Sequence, residues 1–357
     1  MDPIWINTVV LHKQPHWDEA VALFLLRLYG APLFHGIREA KVVFWNAGSN
    51  TPDGRSAAEW EAEGYLLVGV GGGRFDEHPT RTKPREQEFC AATLVAKCLG
   101  IKKDEAALRT LLAYTYRTDA TAVNLPGADR DLVIFGIANV SKMINRYVAN
   151  GDDQKALDWM MMAVEAYYGS QMEFIYAKQE FEQSGTVTTV QLEGFQQPLK
   201  ISAVVSDNTQ MGPMLRSKEG NQSAVVIQKN SKGQVQIHTN KAYKGLKIFD
   251  VARYIRVAEF LTKTPEPVIP SWNELAQEQA PEGVEEWFFQ HSGQMLLNGS
   301  LTNPDAKPTA LSLRLIVELV VTGLKQSGKH QCGAVCNCES ADKIGTELCE
   351  TILGLIK

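Results

Sequence analysis

The sequence predicts an α/β protein: an N-terminal, mostly parallel sheet with helices on both faces, followed by a smaller C-terminal α+β domain. Three observations lead there. Ile4–Val10 is rich in β-branched residues, and the apolar run Ala20–Tyr29 behind it closes on Gly30, as a strand and then a helix with a glycine stop would read. The same rhythm recurs at Lys41–Trp45 and Tyr65–Val70, which argues for βαβ units and a parallel sheet. Beyond about residue 185 short alternating segments replace it, as in an α+β domain.

Taken in order, the first strand is followed by the helix Asp18–Tyr29 and the strands Lys41–Trp45 and Tyr65–Val70, the last running into Gly71-Gly72-Gly73. Glu86–Leu99, stopped by Gly100, and Asp104–Arg117 carry helical apolar spacing. Asp131–Tyr176 reads as helical, with Ile134, Phe135, Ile137, Ala138 and Trp159–Met162 facing inward, and Phe181–Gly185 reads as the exit from the first domain. Thr186–Gln191 and Lys200–Val205 alternate as strands, and Val225–Gln228 and Val235–His238 flank a Ser231-Lys232-Gly233 turn. Phe249–Leu261 reads as a helix, and Lys263–Gly283 as a long surface connection. The expected domains are 1–185, 186–325, and a cysteine-containing linker with a C-terminal helix at 326–357.

Composition narrows the function classes. The 357 residues are 44% hydrophobic and 22% charged, enough for a full core. A formal net charge of −5 gives no global basic signature, so any nucleic-acid contact is local. Met1-Asp2-Pro3-Ile4 lacks the pattern of a signal peptide, and no apolar run approaches the ~20 residues that span a bilayer, so a cytoplasmic protein with no membrane partner is expected. Six cysteines in this length do not read as a disulfide scaffold.

Chemistry concentrates at the predicted strand ends. Leu11-His12-Lys13-Gln14-Pro15-His16-Trp17-Asp18-Glu19 puts two imidazoles and two carboxylates where a strand's carboxyl end meets a helix N-terminus, the place where open α/β sheets hold ligands. Gly71-Gly72-Gly73-Arg74-Phe75-Asp76-Glu77-His78 ends the third strand with another acid–acid–imidazole cluster, and Asp119 ends a helix. Such groups bind divalent metals. The plain alternative is a polar rim, with Asp18 capping its helix.

His12-x-x-x-His16-x-Asp18 followed by Gly-Gly-Gly-Arg-Phe-Asp-Glu-His resembles the DHH phosphoesterase superfamily, and within it the Myg-type branch of RecJ-like exonucleases. Phe89–Val95 is similar to the helix after that branch's Asp-His-His, and Trp287–Gly293 to its late Phe-x-His-x-Gly segment. The resemblance implies one or two Mn²⁺ or Mg²⁺ ions. His12 and His16 would hold one, and Asp18, Glu77 and Asp119 the other, with Asp76 supporting by hydrogen bonding and His78 facing the substrate phosphate. It implies hydrolysis of phosphodiesters in a nucleotide or short single-stranded nucleic acid by hydroxide held on the metal. Two positions depart from the family: Gly69 stands where a bridging aspartate is expected, and Glu77 replaces the first histidine of Asp-His-His. Two cations about 3.5–4 Å apart ordinarily share a bridging ligand. The alternatives are therefore a non-catalytic nucleotide-binding protein, in which Gly69→Asp restores turnover, or a pyrophosphatase-like hydrolase.

Phosphate contacts are expected from Arg74 and Arg81, with Lys83 and Arg85 nearby, and substrate contacts from His291, Ser292 and Gly293, with Arg216 as a further basic candidate. Cys332, Cys336 and Cys338 near His330 offer thiolates to zinc, against a plain reduced linker. Homo-oligomerisation is left open.

Overall fold

The computed structural model describes residues 3–78, 89–102, 105–119, 133–264, 268–330, 350 and 352–355. Arg81, Lys83, Arg85 and the cysteines at 332, 336, 338 and 349 lie outside them. The chain divides into two units, Met1–Met172 and Glu173–Lys357.

In the first unit the predicted strand at 4–10 is two strands. β1 (Ile4–Trp5) pairs in parallel with β3 (Phe34–His35), whereas β2 (Thr8–His12) lies between β4 (Lys41–Trp45) and β5 (Tyr65–Leu67), parallel to both. The switch falls at Asn7. Its N–H donates to Gly64 O and its carbonyl accepts from Lys41 N, so the chain leaves one partner strand for two others. Val9 and Leu11 then face the core built on α1 (Trp17–Tyr29), while Val10 faces the opposite one with Leu67 and Val70, beside α2 (Ala57–Ala62). Both sheet faces are thus covered, which explains why β2 is apolar without alternation. α1 is buried from Trp17 to Leu26 and packs against α3 (Ala91–Cys98) and α4 (Arg109–Asp119). α5 (Ile137–Met143) continues through π-type turns to Ala149, and α6 (Asp153–Ser184) begins in this unit.

The second unit holds a six-stranded mixed sheet in the order β10-β11-β9-β8-β7-β6, from β6 (Thr186–Val190), β7 (Leu199–Val205), β8 (Val225–Lys229), β9 (Val235–Thr239), β10 (Trp287–Phe289) and β11 (Met295–Asn298). Only β7 and β8 run parallel. The end of α6 and the short α7 (Met211–Arg216) pack against Val204 and Val226 on one face. On the other, α8 (Phe249–Lys263) and α9 (Leu313–His330) close the core over Ile201, Ile227 and Ile237. This unit takes in the end of α6 and the C-terminal Ile352 along with the segment 186–325. None of the helices among the described residues is long and apolar enough to cross a membrane.

His291, Ser292 and Gly293 form the turn between β10 and β11. His291 is exposed, 3.6 Å from Glu278, and Ser292 donates to Gln290 Oε1. Gly293 has φ +68° and accepts from Ile248 N, and a Cβ there would stand 2.6 Å from the Phe249 ring. Gly293→Ala is accordingly expected to cost about 1–3 kcal/mol in thermal unfolding. A neutral substitution would show that Phe249 moves aside freely.

Candidate metal centre

The loop from β2 to α1 is fixed before any ligand is considered. Gln14 takes φ +53°, an uncommon conformation for a non-glycine residue, and its N–H donates to Asp153 Oδ1 at 2.8 Å. Asn145 donates to Pro15 O, and the Trp17 indole N–H to Thr115 Oγ1. Glu19, in the first turn of α1, reaches back to the loop. Its Oε1 accepts from His12 N at 2.9 Å and its Oε2 from His16 N at 2.8 Å. This is the acidic half of a capping box, and it grips both ends of the loop.

The same carboxylate touches the His12 ring, with Nε2 3.0 Å from Glu19 Oε2. His12 Nδ1 lies 2.7 Å from Lys13 O. A carbonyl oxygen only accepts, so Nδ1 carries a hydrogen, and Nε2 then faces the carboxylate across a shared proton or a cation. Burial lowers the His12 pKa, while burial and the neighbouring Asp18 raise that of Glu19 well above the usual range, despite the two peptide hydrogen bonds.

His16, Asp18 and Asp119 come from the N-cap and first turn of α1 and the last residue of α4. One ligand atom from each lies within 4.8 Å of the others. They line a cavity of about 30 Å³ shared with Trp17, Thr118, Ala138, Ser141 and Lys142. Asp18 is 4% exposed, and its Oδ2 accepts from Ala91 N, at the start of α3, at 3.3 Å. Burial, then Asp119 and Glu77, push its pKa well above 3.8. Burial and the charges of His12, Lys142 and His78 lower His16 to about 4, so its ring is neutral at pH 7, with one nitrogen protonated and the other able to act as a ligand.

Asp76, Glu77 and His78 follow a glycine turn that ends in the bridge between Val68 and Phe75. Asp76 Oδ2 accepts from Gly72 N at 2.8 Å, and Oδ1 from His78 N at 3.0 Å and His78 Nδ1 at 2.9 Å. Burial pulls its pKa upward, but these donors outweigh it and hold the carboxyl below its usual value. Glu77 is 2% exposed, its pKa is raised by burial, and its Oε2 has no hydrogen-bond partner among the described residues. The charges of Asp119 and Glu77 act on Asp18, and that of Asp119 on Glu77, so the two clusters are near enough to influence one another.

Buried Asp18 and Glu77, with half-buried Asp119 acting on both and a Glu77 oxygen left without a hydrogen-bond partner among the described residues, are costly unless protonated or paired with positive charge. Oxygen and imidazole donors suit Mn²⁺ or Mg²⁺, so these residues fit a hard divalent cation. The other sequence candidates sit differently. Arg74 bonds Glu61 at 2.8 Å and lies over the Phe34 ring. Arg216 is half-buried on α7 in the second unit, its pKa lowered by burial, near His238. Lys142 is not among the sequence candidates, and Glu19 is counted there only as one of the loop's two carboxylates. Lys142 gives no local signal, whereas Glu19 three residues after the His16 N-cap is legible as a capping pattern.

Glu19 also explains Gly69. Gly69 has φ +65°, and a Cβ placed on it would meet Glu19 Cγ, Oε1 and Cδ at 3.1–3.3 Å. Gly69→Asp, read from sequence as a restoration, is therefore expected to displace Glu19 and strain the backbone, lowering the melting temperature by several degrees, on the order of 1–3 kcal/mol. A variant as stable as the parent would show that the carboxylate fits beside Glu19.

No family model matches the chain, and no curated protein matches it. Among solved structures, the crystal structure of an uncharacterized protein from Helicobacter pylori G27 is similar at 9% identity, covering 90% of this chain and 99% of that one with a TM-score of 0.21, a likeness that carries no argument.

Proposed function

We propose that this chain is a divalent-cation-dependent phosphoesterase of the DHH type, hydrolysing phosphodiesters of a nucleotide or short single-stranded nucleic acid. The observation that carries the reading is the gathering of His16, Asp18 and Asp119 ligand atoms within 4.8 Å of one another, with the unpartnered Glu77 oxygen in the second acid–imidazole cluster. A bound cation supplies a water of lowered pKa and neutralises charge on phosphate oxygens. The chain's own groups do the rest. Asp76 fixes the His78 ring through Nδ1, and this ring, its side chain 46% exposed, would face the substrate phosphate. Lys142, on the rim of the same cavity, offers a second positive contact. Glu19 holds the loop backbone, so that His16 and Asp18 would hold a cation without rearranging.

Gly69 favours a second reading, a nucleotide-binding protein without turnover, since two adjacent cations ordinarily need a bridging ligand. Assays with Mn²⁺ against short oligonucleotides, cyclic dinucleotides and pyrophosphate decide between them. Cation-dependent hydrolysis that is lost in His16→Ala supports the phosphoesterase. Tight nucleotide binding with no turnover supports the second reading.

A further inference from the structure

Independently of any cation, we propose that the second unit carries an oxyanion site of its own, on Arg216 and His238. Its ligand is a phosphate monoester joined to a flat apolar group, as in a nucleoside monophosphate. The placement comes from the sheet. His238 on β9 stands in register with Val226 on β8 and with Met295 on β11, and paired positions point to the same face. Val226 packs with Met214 and Leu215 of α7, so His238 shares the face that α7 covers. Asn240, just past the end of β9, donates from its side chain to Arg216 O at 3.0 Å and ties the end of α7 to the end of that strand. The two side chains are near enough that the Arg216 charge, together with burial, lowers the His238 pKa to about 4.

A half-buried guanidinium is ordinarily answered by a carboxylate, or by the last carbonyls of its own helix. Among the described residues no carboxylate meets Arg216, and burial alone moves its pKa, downward. Its Nη2 lies 3.8 Å from where a Gly212 Cβ would stand, so the group lies back over the first turn of α7 rather than at its end. His238 is as poorly answered: its Nε2 reaches Gln236 Oε1 at 3.4 Å, long for a hydrogen bond. An arginine fork and an imidazole side by side, with no anion between them, make a receptor for phosphate oxygens. The rest of the ligand follows from the neighbours. Beside His238 the same sheet face runs on through Met295, Leu297 and Phe288, which floor a cavity of about 350 Å³ edged by Ser300 and Asn303. Phe288 is 43% exposed, which leaves its ring open to a second flat ring, while the hydroxyl and amide are placed to hydrogen-bond that ring's edge.

The test is calorimetric titration of the full chain in excess chelator, so that no cation contributes, with AMP, adenosine and inorganic phosphate as probes. AMP is expected to bind at least about tenfold tighter than adenosine or phosphate alone. Arg216→Gln should weaken AMP by about tenfold or more, and His238→Gln by a smaller factor. Phe288→Ala should weaken AMP and leave phosphate unchanged. Thermal scans separate binding from folding: AMP should raise the melting temperature of the parent, whereas Arg216→Gln should melt no lower than the parent without ligand and lose that rise. No AMP binding, or AMP affinity indifferent to both Arg216→Gln and His238→Gln, would overturn the inference and leave the phosphoesterase reading standing. Adenosine binding as tightly as AMP would overturn it in the same way.

Discussion

Asp18→Asn is expected to remove cation-dependent hydrolysis, by a factor on the order of a thousand or more, while making the cation-free protein more stable. The first effect follows from the site. Asp18 is central to the donor set, and an amide brings no charge to a cation. The second follows from burial. With Asp119 and Glu77 close by, the folded-state pKa of Asp18 lies above its ordinary 3.8, so the folded chain keeps a proton that the unfolded chain has released. Stability then declines as the pH rises from 3.8 towards the folded-state value, and stays reduced above it. Asparagine lacks this penalty. The variant should gain about 1–3 kcal/mol over the parent at pH 8 in chelator, and much less at pH 4. Saturating Mn²⁺ should reverse the order, since only the parent gains binding energy. Thermal unfolding of both proteins across pH, with and without Mn²⁺, measures all of this. A variant less stable than the parent in chelator at pH 8 would show that Asp18 is a structural group.

The largest expected loss of stability lies in the second unit. Arg256 is fully buried on α8, and burial lowers its pKa to about 10. Its guanidinium donates to Leu275 O at 3.0 Å and to Gln277 O and Trp287 O at 2.7 Å, fastening the segment before β10 to the helix. One turn on, Glu259 accepts from the Trp287 indole N–H, Thr309 Oγ1 and Ala310 N. Arg256→Leu keeps the bulk and deletes the donors, leaving the buried carbonyls of Leu275 and Trp287 without this partner. A loss of about 3–5 kcal/mol is expected in denaturant unfolding followed by tryptophan fluorescence. A loss under about 1 kcal/mol would mean that those carbonyls find other donors.

How much of this was legible in the sequence depends on how local the cause is. Lys41–Trp45 was read with its observed bounds, because its β-branched run needs no distant partner to be recognised. Ile4–Val10 was read as one strand because its apolar pattern is continuous. The break at Asn7 comes from hydrogen bonds to Gly64 and Lys41, far along the chain. His16, Asp18, Asp76, Glu77 and His78 were found as clusters, since each set is contiguous. That Asp119 joins His16 and Asp18 depends on how α4 packs on α1, which spacing does not state. Gly69 was read as a missing carboxylate, and its neighbour Glu19 was invisible because the two meet only in space. Gly293, grouped by resemblance with substrate contacts, has a packing reason of its own in the Phe249 ring.

The account rests on acids and imidazoles from separate segments gathering around a divalent cation. The most direct measurement is anomalous scattering at the manganese edge from a crystal grown with Mn²⁺. A peak is expected about 2.2 Å from ligand atoms of His16, Asp18 and Asp119. A fully occupied Mn²⁺ elsewhere on the chain, with that position empty, would contradict it.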